Sequence, residues 1–366
     1  TPTGASGHND PRSSRPRPGS PMLRLRLACV FLLAASVAPG AELPLENLIV
    51  HDPHILADAA TQTYFLYGQY SPKKDWQAKH FDPPPPRAGV MAYASKDLVT
   101  WSAPRLVFTV PDGFWGDATD SPWAPEVHAW KGRYYLFATF NDWNTLLDTR
   151  PGRPPITKRQ TQILVGDSPL GPFRPFANAP SSPPGKMTLD GTLHVDAAGR
   201  PWFVYAHEWI QITDGSFEAL PMRDDLAAPI GDPILLFRAS EVGWTRRAIR
   251  YRGGDPVPGI VTDGASLYRM KSGVLACFWA SWSQDRQYAE SIAYSDSGRL
   301  AGPWRHEPEP ILQDDIGHGS IFTAFDGRLL LVIHKYFRQP ATRVQIYELE
   351  ELPDRIRVRR QILGAP

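Results

Sequence analysis

The chain has 366 residues, with 39 lysines and arginines against 38 aspartates and glutamates, a balance that excludes a nucleic-acid clamp. A hydrophobic fraction of 42% supplies a sizeable core, and 21% charged residues excludes a mostly disordered chain. With 38 prolines, 29 glycines, 12 tryptophans, 13 tyrosines and 16 phenylalanines, the composition interrupts helices and suits short aromatic strands, so an all-β fold is expected.

Residues 1–21, rich in Pro, Ser and Arg, have no apolar face to bury and are expected to be disordered or an over-extended start. From Met22 the chain reads Leu-Arg-Leu-Arg, an uncharged run from Leu27 to Ala38, then Pro-Gly-Ala-Glu. A basic start, a 12-residue apolar run and small residues after it describe a secretory signal peptide over 22–41, whereas a bilayer span needs ~20 residues. The mature protein is therefore expected to be secreted or periplasmic, and free of the membrane once the leader is removed. Cys29 falls within the leader, which leaves Cys277 as a small buried hydrophobe with no neighbouring cation to activate it.

Beyond the leader, one pattern recurs five times: a polar residue, a short strand, a tight turn and an aromatic-rich strand. The copies begin Asp52-Pro-His-Ile-Leu, Glu126-Val-His-Ala-Trp, Asp190-Gly-Thr-Leu-His-Val, Asp263-Gly-Ala-Ser-Leu-Tyr and His318-Gly-Ser-Ile-Phe. Lys131-Gly132, Ala198-Gly199, Ser272-Gly273 and Asp326-Gly327 supply hairpin turns, since glycine adopts the positive φ these need. A weaker echo, a third strand and its closing turn, follows at Val90 to Trp101, Ile163 to Phe173 and Ser291 to Trp304. The lead residues at 52, 126, 190, 263 and 318 stand 55 to 74 residues apart, room for four short strands each. The expected fold is one five-bladed β-propeller over 46–358, its four-stranded antiparallel blades set around a central channel. The stretch Asp82–Arg87 and the segment 144–160 are expected as rim loops.

If each lead residue heads the innermost strand of its blade, four carboxylates and an imidazole meet at one mouth of the channel. Crowded carboxylates push one another's pKa values apart, leaving one ionised and another protonated near neutrality. Glycosidic cleavage needs that division: one group activates water, the other protonates the departing oxygen, and inverting enzymes hold them about 6.5–9.5 Å apart. Antiparallel pairing returns each second strand to the same mouth, so His207, Glu208, Trp209, Trp282 and His334 are expected at its border. Trp115, Trp123, Trp143, Trp209 and Trp282 could stack on a sugar ring. Asp52, Asp190 and Asp263 each precede Pro or Gly and taken singly could be turn residues; recurrence at five strand heads argues for a site.

Asp52-Pro-His-Ile, Trp123-Ala-Pro-Glu-Val with Gly-Arg-Tyr-Tyr-Leu-Phe, Asp190-Gly-Thr-Leu-His-Val-Asp and the closing turn at 297–304 together resemble glycoside hydrolase family 43. The likeness spans Glu46 to Asp354. It implies a five-bladed propeller that inverts the anomeric centre of arabinofuranosides, xylosides or galactofuranosides, with an oligo- or polysaccharide as substrate. Carried over by position, it makes Asp52 the general base and Asp190 the carboxylate that orients the acid and tunes its pKa. The family has Glu-Gly-Pro at the head of the fourth blade, where this chain has Asp263-Gly-Ala, so the general acid is either Asp263 or Glu208. His54, Trp123, Glu126, His207, Trp209, Trp282 and His318 are the candidate substrate contacts. The chemistry requires no cofactor; the axial His318 resembles a family position near calcium, so a structural calcium there is carried as an expectation. A catalytically silent sugar-binding propeller and a retaining fructosidase-like enzyme remain as alternatives. A monomer that binds no nucleic acid is expected.

Overall fold

The computed structural model describes residues 42–365, so the expected leader over 22–41 and the segment 1–21 lie outside the described residues. Five antiparallel sheets follow one another along the chain. The first blade runs outward through His54–Asp58, Thr63–Tyr70 and Gly89–Ser95. Its outer edge is split between Arg105–Thr109 and the short pair Thr100–Trp101 with Leu43–Pro44. The second comprises Trp123–Trp130, Arg133–Asp148, Ile156–Gly166 and Arg174–Pro175, and the third Thr188–Val195, Pro201–His207, Ser216–Pro221 and Ile234–Arg238. Asp263–Arg269, Leu275–Trp282, Tyr288–Ser295 and Trp304–His306 form the fourth; Ile316–Thr323, Leu329–Lys335, Arg343–Glu351 and Ile356–Leu363 form the fifth. Each innermost strand touches the innermost strands of the blades before and after it, and the fifth touches the first, which closes a five-bladed propeller.

Glycine chemistry makes the inner hairpins. Between the first two strands of the second blade, Lys131 (φ 47°) and Gly132 (φ 77°) take the left-handed pair of a two-residue turn whose twist matches its strands. Second strands such as Leu275–Trp282 read as nearly continuous apolar runs because neighbouring blades cover both faces. Between the third and fourth blades, Phe217, Phe237, Trp244 and Trp279 interlock, each aromatic burial contributing about 1.5–3 kcal/mol. Cys277 is buried in this same core. No strand is exchanged between the first and fifth blades; Leu45, Leu48 and Val50 join Leu330, Val332 and Val344 in the apolar seam that shuts the ring.

One expectation shifts. The segment expected as a rim loop over 144–160 is mostly strand: Arg133–Asp148 and Ile156–Gly166 pair as one long hairpin that rises above the blade, and only 149–155 loops. A separate two-stranded ribbon pairs Ala248–Arg250 with Pro256–Pro258, and Arg252 in its connection lies 4.6 Å from the Trp143 ring of that hairpin.

The inner strands share a local feature that positions the site. Asp52 (φ 53°), Ala124 (φ 41°), Asp190 (φ 53°), Gly264 (φ 59°) and His318 (φ 57°) all lie in the left-handed region near the head of their strands. In blades two to five the ladder register jumps at this residue, the mark of a bulge. A left-handed residue is costly for most side chains and easiest for Gly and Asp, and five in equivalent places mark a repeated device that re-aims the strand heads.

Candidate active site

The strand heads open into a cavity of about 660 Å³. Asp52, Asp190, Glu208, Asp263 and His318 all line it, as do Trp123, Trp143, Trp209 and Trp282. Residues distant in sequence thus share one water-accessible chamber.

Asp52 is ringed by imidazoles. Its Oδ1 lies 2.7 Å from His51 Nδ1, 3.2 Å from His318 Nδ1 and 3.6 Å from His334 Nδ1. The third contact is not an ion pair: the Asp52 backbone N–H donates to His334 Nδ1 at 3.3 Å, and burial holds that ring well below the usual imidazole range. Burial alone would raise the Asp52 pKa, but the adjacent His318 and His51, with a hydrogen bond from His51, override it and hold the carboxyl well below the usual carboxylate range. Every one of these contacts falls on Oδ1. Oδ2 meets no donor among the described residues, so an ionised oxygen is left for water.

Asp190 and Asp263 show the opposite electrostatics. The Asp190 backbone N–H donates to Thr139 Oγ1 at 3.0 Å, and its Oδ2 accepts the Gly264 N–H at 3.0 Å. Burial, then the charges of Asp263 and Asp52, push its pKa well above the ordinary value. Asp263, at the head of the fourth blade, accepts the Tyr288 hydroxyl on Oδ2 at 3.0 Å. Desolvation, then the nearby Glu208 and Asp52, push it up to about 8. Two neighbouring buried carboxyls hold on to a proton that the imidazole-flanked Asp52 releases.

Glu208 is differently committed. Arg159 NH1 donates to its Oε2 at 2.5 Å, and both side chains are nearly inaccessible. The guanidinium is fixed by Asn141 Oδ1 at 2.7 Å and lies 4.4 Å from the Trp123 ring and 5.2 Å from that of Trp143. Arg159 enters from the third strand of the second blade, which the lead-residue pattern did not include. Its sequence signal is a lone arginine among buried neighbours in Thr157-Lys-Arg-Gln-Thr. Tyr288 and His51 were likewise not singled out, although His51 directly precedes the Asp-Pro turn.

Several expected contacts stand elsewhere. Glu126, read as the second blade's lead residue, lies two positions past the true equivalent, Ala124, and its counterpart in the third blade is Thr192, not Asp190. It therefore levels with His54, Thr192, Ser266 and Ser320 farther along the channel, and neither Glu126 nor His54 borders the cavity. His207 faces away from it, bonded through Nδ1 to Glu218 and through Nε2 to Gln211, each at 2.9 Å. His334 is buried behind Asp52. Trp115 packs on Phe140 and bonds to Gln162, outside the cavity lining.

Calcium takes six to eight oxygen ligands. Around His318 Nδ1 the protein offers only Asp52 at 3.2 Å and Asp190 at 3.9 Å, oxygens that His51 and Gly264 already engage. These side chains alone do not complete a calcium coordination shell.

A carboxylate held ionised, in one cavity with a carboxyl whose hold on its proton is raised, is equipped for acid–base displacement at an acetal carbon. The aromatic walls suit sugar faces. The model of glycosyl hydrolases family 43 matches residues 42–349. No curated protein matched the chain. Among solved structures, an endo-arabinase from Bacteroides thetaiotaomicron is 36% identical, covering 85% of this chain and 98% of its own with a TM-score of 0.73. A thermostable family-43 glycoside hydrolase is 20% identical over 88% of this chain and 96% of its own, at a TM-score of 0.65. An α-L-arabinanase from Cellvibrio cellulosa, complexed with arabinohexaose, is 17% identical over 85% of this chain and 96% of its own, at 0.59.

Proposed function

The chain belongs to glycosyl hydrolases family 43 and is a glycoside hydrolase, and from that premise we propose that it cleaves arabinofuranosyl linkages of a polysaccharide with inversion at the anomeric carbon. Asp52 acts as general base through Oδ2, drawing a proton from the water that attacks that carbon. Asp263 acts as general acid, giving its proton to the departing oxygen. Asp190 accepts the Gly264 N–H and so fixes the backbone beside Asp263.

The observation that carries this reading is the opposed electrostatics of Asp52 and Asp263 in one cavity. It favours Asp263 over Glu208 as the acid: a proton donor must keep its proton, and Glu208 lies in a buried ion pair with Arg159. Arabinose is favoured because the endo-arabinase is the 36% identical relative. The pattern over Met22–Ala41 supports export. Aryl arabinofuranosides, xylosides and galactofuranosides, with linear arabinan, test the substrate. Release of arabinose or arabino-oligosaccharides, with the first anomer seen by NMR opposite to that cleaved and loss of turnover in Asp52→Asn, is the expected result; retention of configuration, or cleavage confined to xylosides, defeats it.

A further inference from the structure

The inner strands lead away from the catalytic cavity to a second one of about 460 Å³, lined by their later residues, among them His54, His128, Thr192, Ser266 and Ser320. Here His54, Glu126 and His128 bring two imidazoles and a carboxylate together, with one donor atom of each inside a 4.8 Å circle. We propose that these three residues bind a single divalent transition-metal ion, of the zinc class, at the end of the channel opposite the catalytic cavity.

The tautomer of His54 supports this. Its Nε2 lies 3.0 Å from the Val127 carbonyl, which only accepts, so Nε2 carries the hydrogen and Nδ1 presents a lone pair. That lone pair is 2.8 Å from Ser320 Oγ and 3.8 Å from Glu126 Oε2. A backbone carbonyl fixing one ring nitrogen while the other faces a carboxylate is the arrangement in which histidines ligate metals. His128 Nε2 donates to the same Glu126 oxygen at 2.9 Å, a hydrogen that moves to Nδ1 when the ion takes its place, and Thr192 Oγ1 lies 3.3 Å from that nitrogen. A tetrahedral ion with bonds of about 2.0–2.1 Å spaces its ligands by roughly 3.3 Å. The observed 2.9 and 3.8 Å bracket that figure, so sub-ångström movements seat the ion.

Two imidazoles and a carboxylate suit zinc and its first-row neighbours better than calcium or magnesium, which prefer oxygen. Water from the second cavity supplies the fourth position. The ligands come from the innermost strands of blades one and two, so the ion fastens those two blades together without touching the reaction. The other histidine cluster, His51, Asp52 and His334, belongs to the catalytic cavity.

Chelator-stripped protein titrated with Co²⁺, as a spectroscopic probe, and with Zn²⁺ tests the proposal. One equivalent of Co²⁺ is expected to give visible bands of a four- or five-coordinate site, displaced by Zn²⁺, with a rise in melting temperature. His128→Ala and Glu126→Gln, checked for folding by circular dichroism, should each weaken binding by at least tenfold, whereas Asp52→Asn should bind as wild type does. His128 is the more exposed ligand, and a folded His128→Ala variant suffices if Glu126→Gln fails to fold. Absence of cobalt bands in the wild-type protein, survival of binding in His128→Ala, or its loss in Asp52→Asn overturns the proposal.

Discussion

Replacing Asp263 with asparagine removes the proton and leaves the shape, so activity and stability should move in opposite directions. Without a general acid, turnover of substrates with poor leaving groups should fall by about 10²–10⁴-fold. Dinitrophenyl glycosides, whose leaving group departs without a proton, should lose far less. The alkaline limb of kcat/KM, set in the wild type by a group pushed up to about 8, should vanish. Stability follows from the same shift. A carboxyl that titrates near 3.8 when unfolded and near 8 when folded costs nothing below pH ~4; the cost grows as pH rises and is complete above 8. At ~1.4 kcal/mol per tenfold change in proton affinity the ceiling is ~6 kcal/mol, and water in the cavity and sharing of the proton with Asp190 reduce it to a few. The variant should therefore melt several degrees above the wild type at pH 8.5 and show little difference at pH 4.5. Activity assays across leaving groups and melts at both pH values check this. An asparagine variant that keeps its turnover and alkaline limb, while Glu208→Gln loses both, refutes the assignment.

Other perturbations probe the surroundings of that pair. Arg159→Met leaves Glu208 buried without its partner and should destabilise the fold by about 3–5 kcal/mol in urea titrations, with much of the loss recovered in the double variant with Glu208→Gln. Gly264→Ala places a Cβ 2.7 Å from His318 at φ 59°, so it should lower kcat at least tenfold and cost ~1–3 kcal/mol of stability. His51→Ala removes the nearest donor to Asp52, whose carboxyl His318 and His51 hold below the usual carboxylate range, so the acidic limb of kcat/KM should move up by about one pH unit.

The blades were legible because each inner hairpin carries its own turn: Lys131-Gly132 at positive φ between apolar runs is a local statement that tertiary context does not alter. The convergence of Asp52, Asp190 and His318 was legible from their recurrence, whereas Asp263 joins them from one position before its strand's left-handed residue, Gly264. Glu126 was misplaced because Trp123-Ala-Pro-Glu hides a bulge at Ala124, whose small side chain resembles neither Asp52 nor His318. The choice between Glu208 and Asp263 could not be read from either residue, since it turns on Arg159, 49 positions from Glu208 and delivered by a different blade. His207 seemed a wall residue because its strand ends at the mouth; Glu218, on the adjacent strand, draws it away.

The protonation states of Asp52 and Asp263, the proposed base and acid, can be observed without substrate. In protein carrying ¹³C at the aspartate Cγ, a pH titration followed by NMR should show a carboxyl titrating near pH 8 that disappears in Asp263→Asn, and an Asp52 resonance that stays ionised from pH 4.5 to 9. An Asp263 that is already ionised at pH 5, or an Asp52 that takes up a proton near neutrality, would contradict the assignment of base and acid.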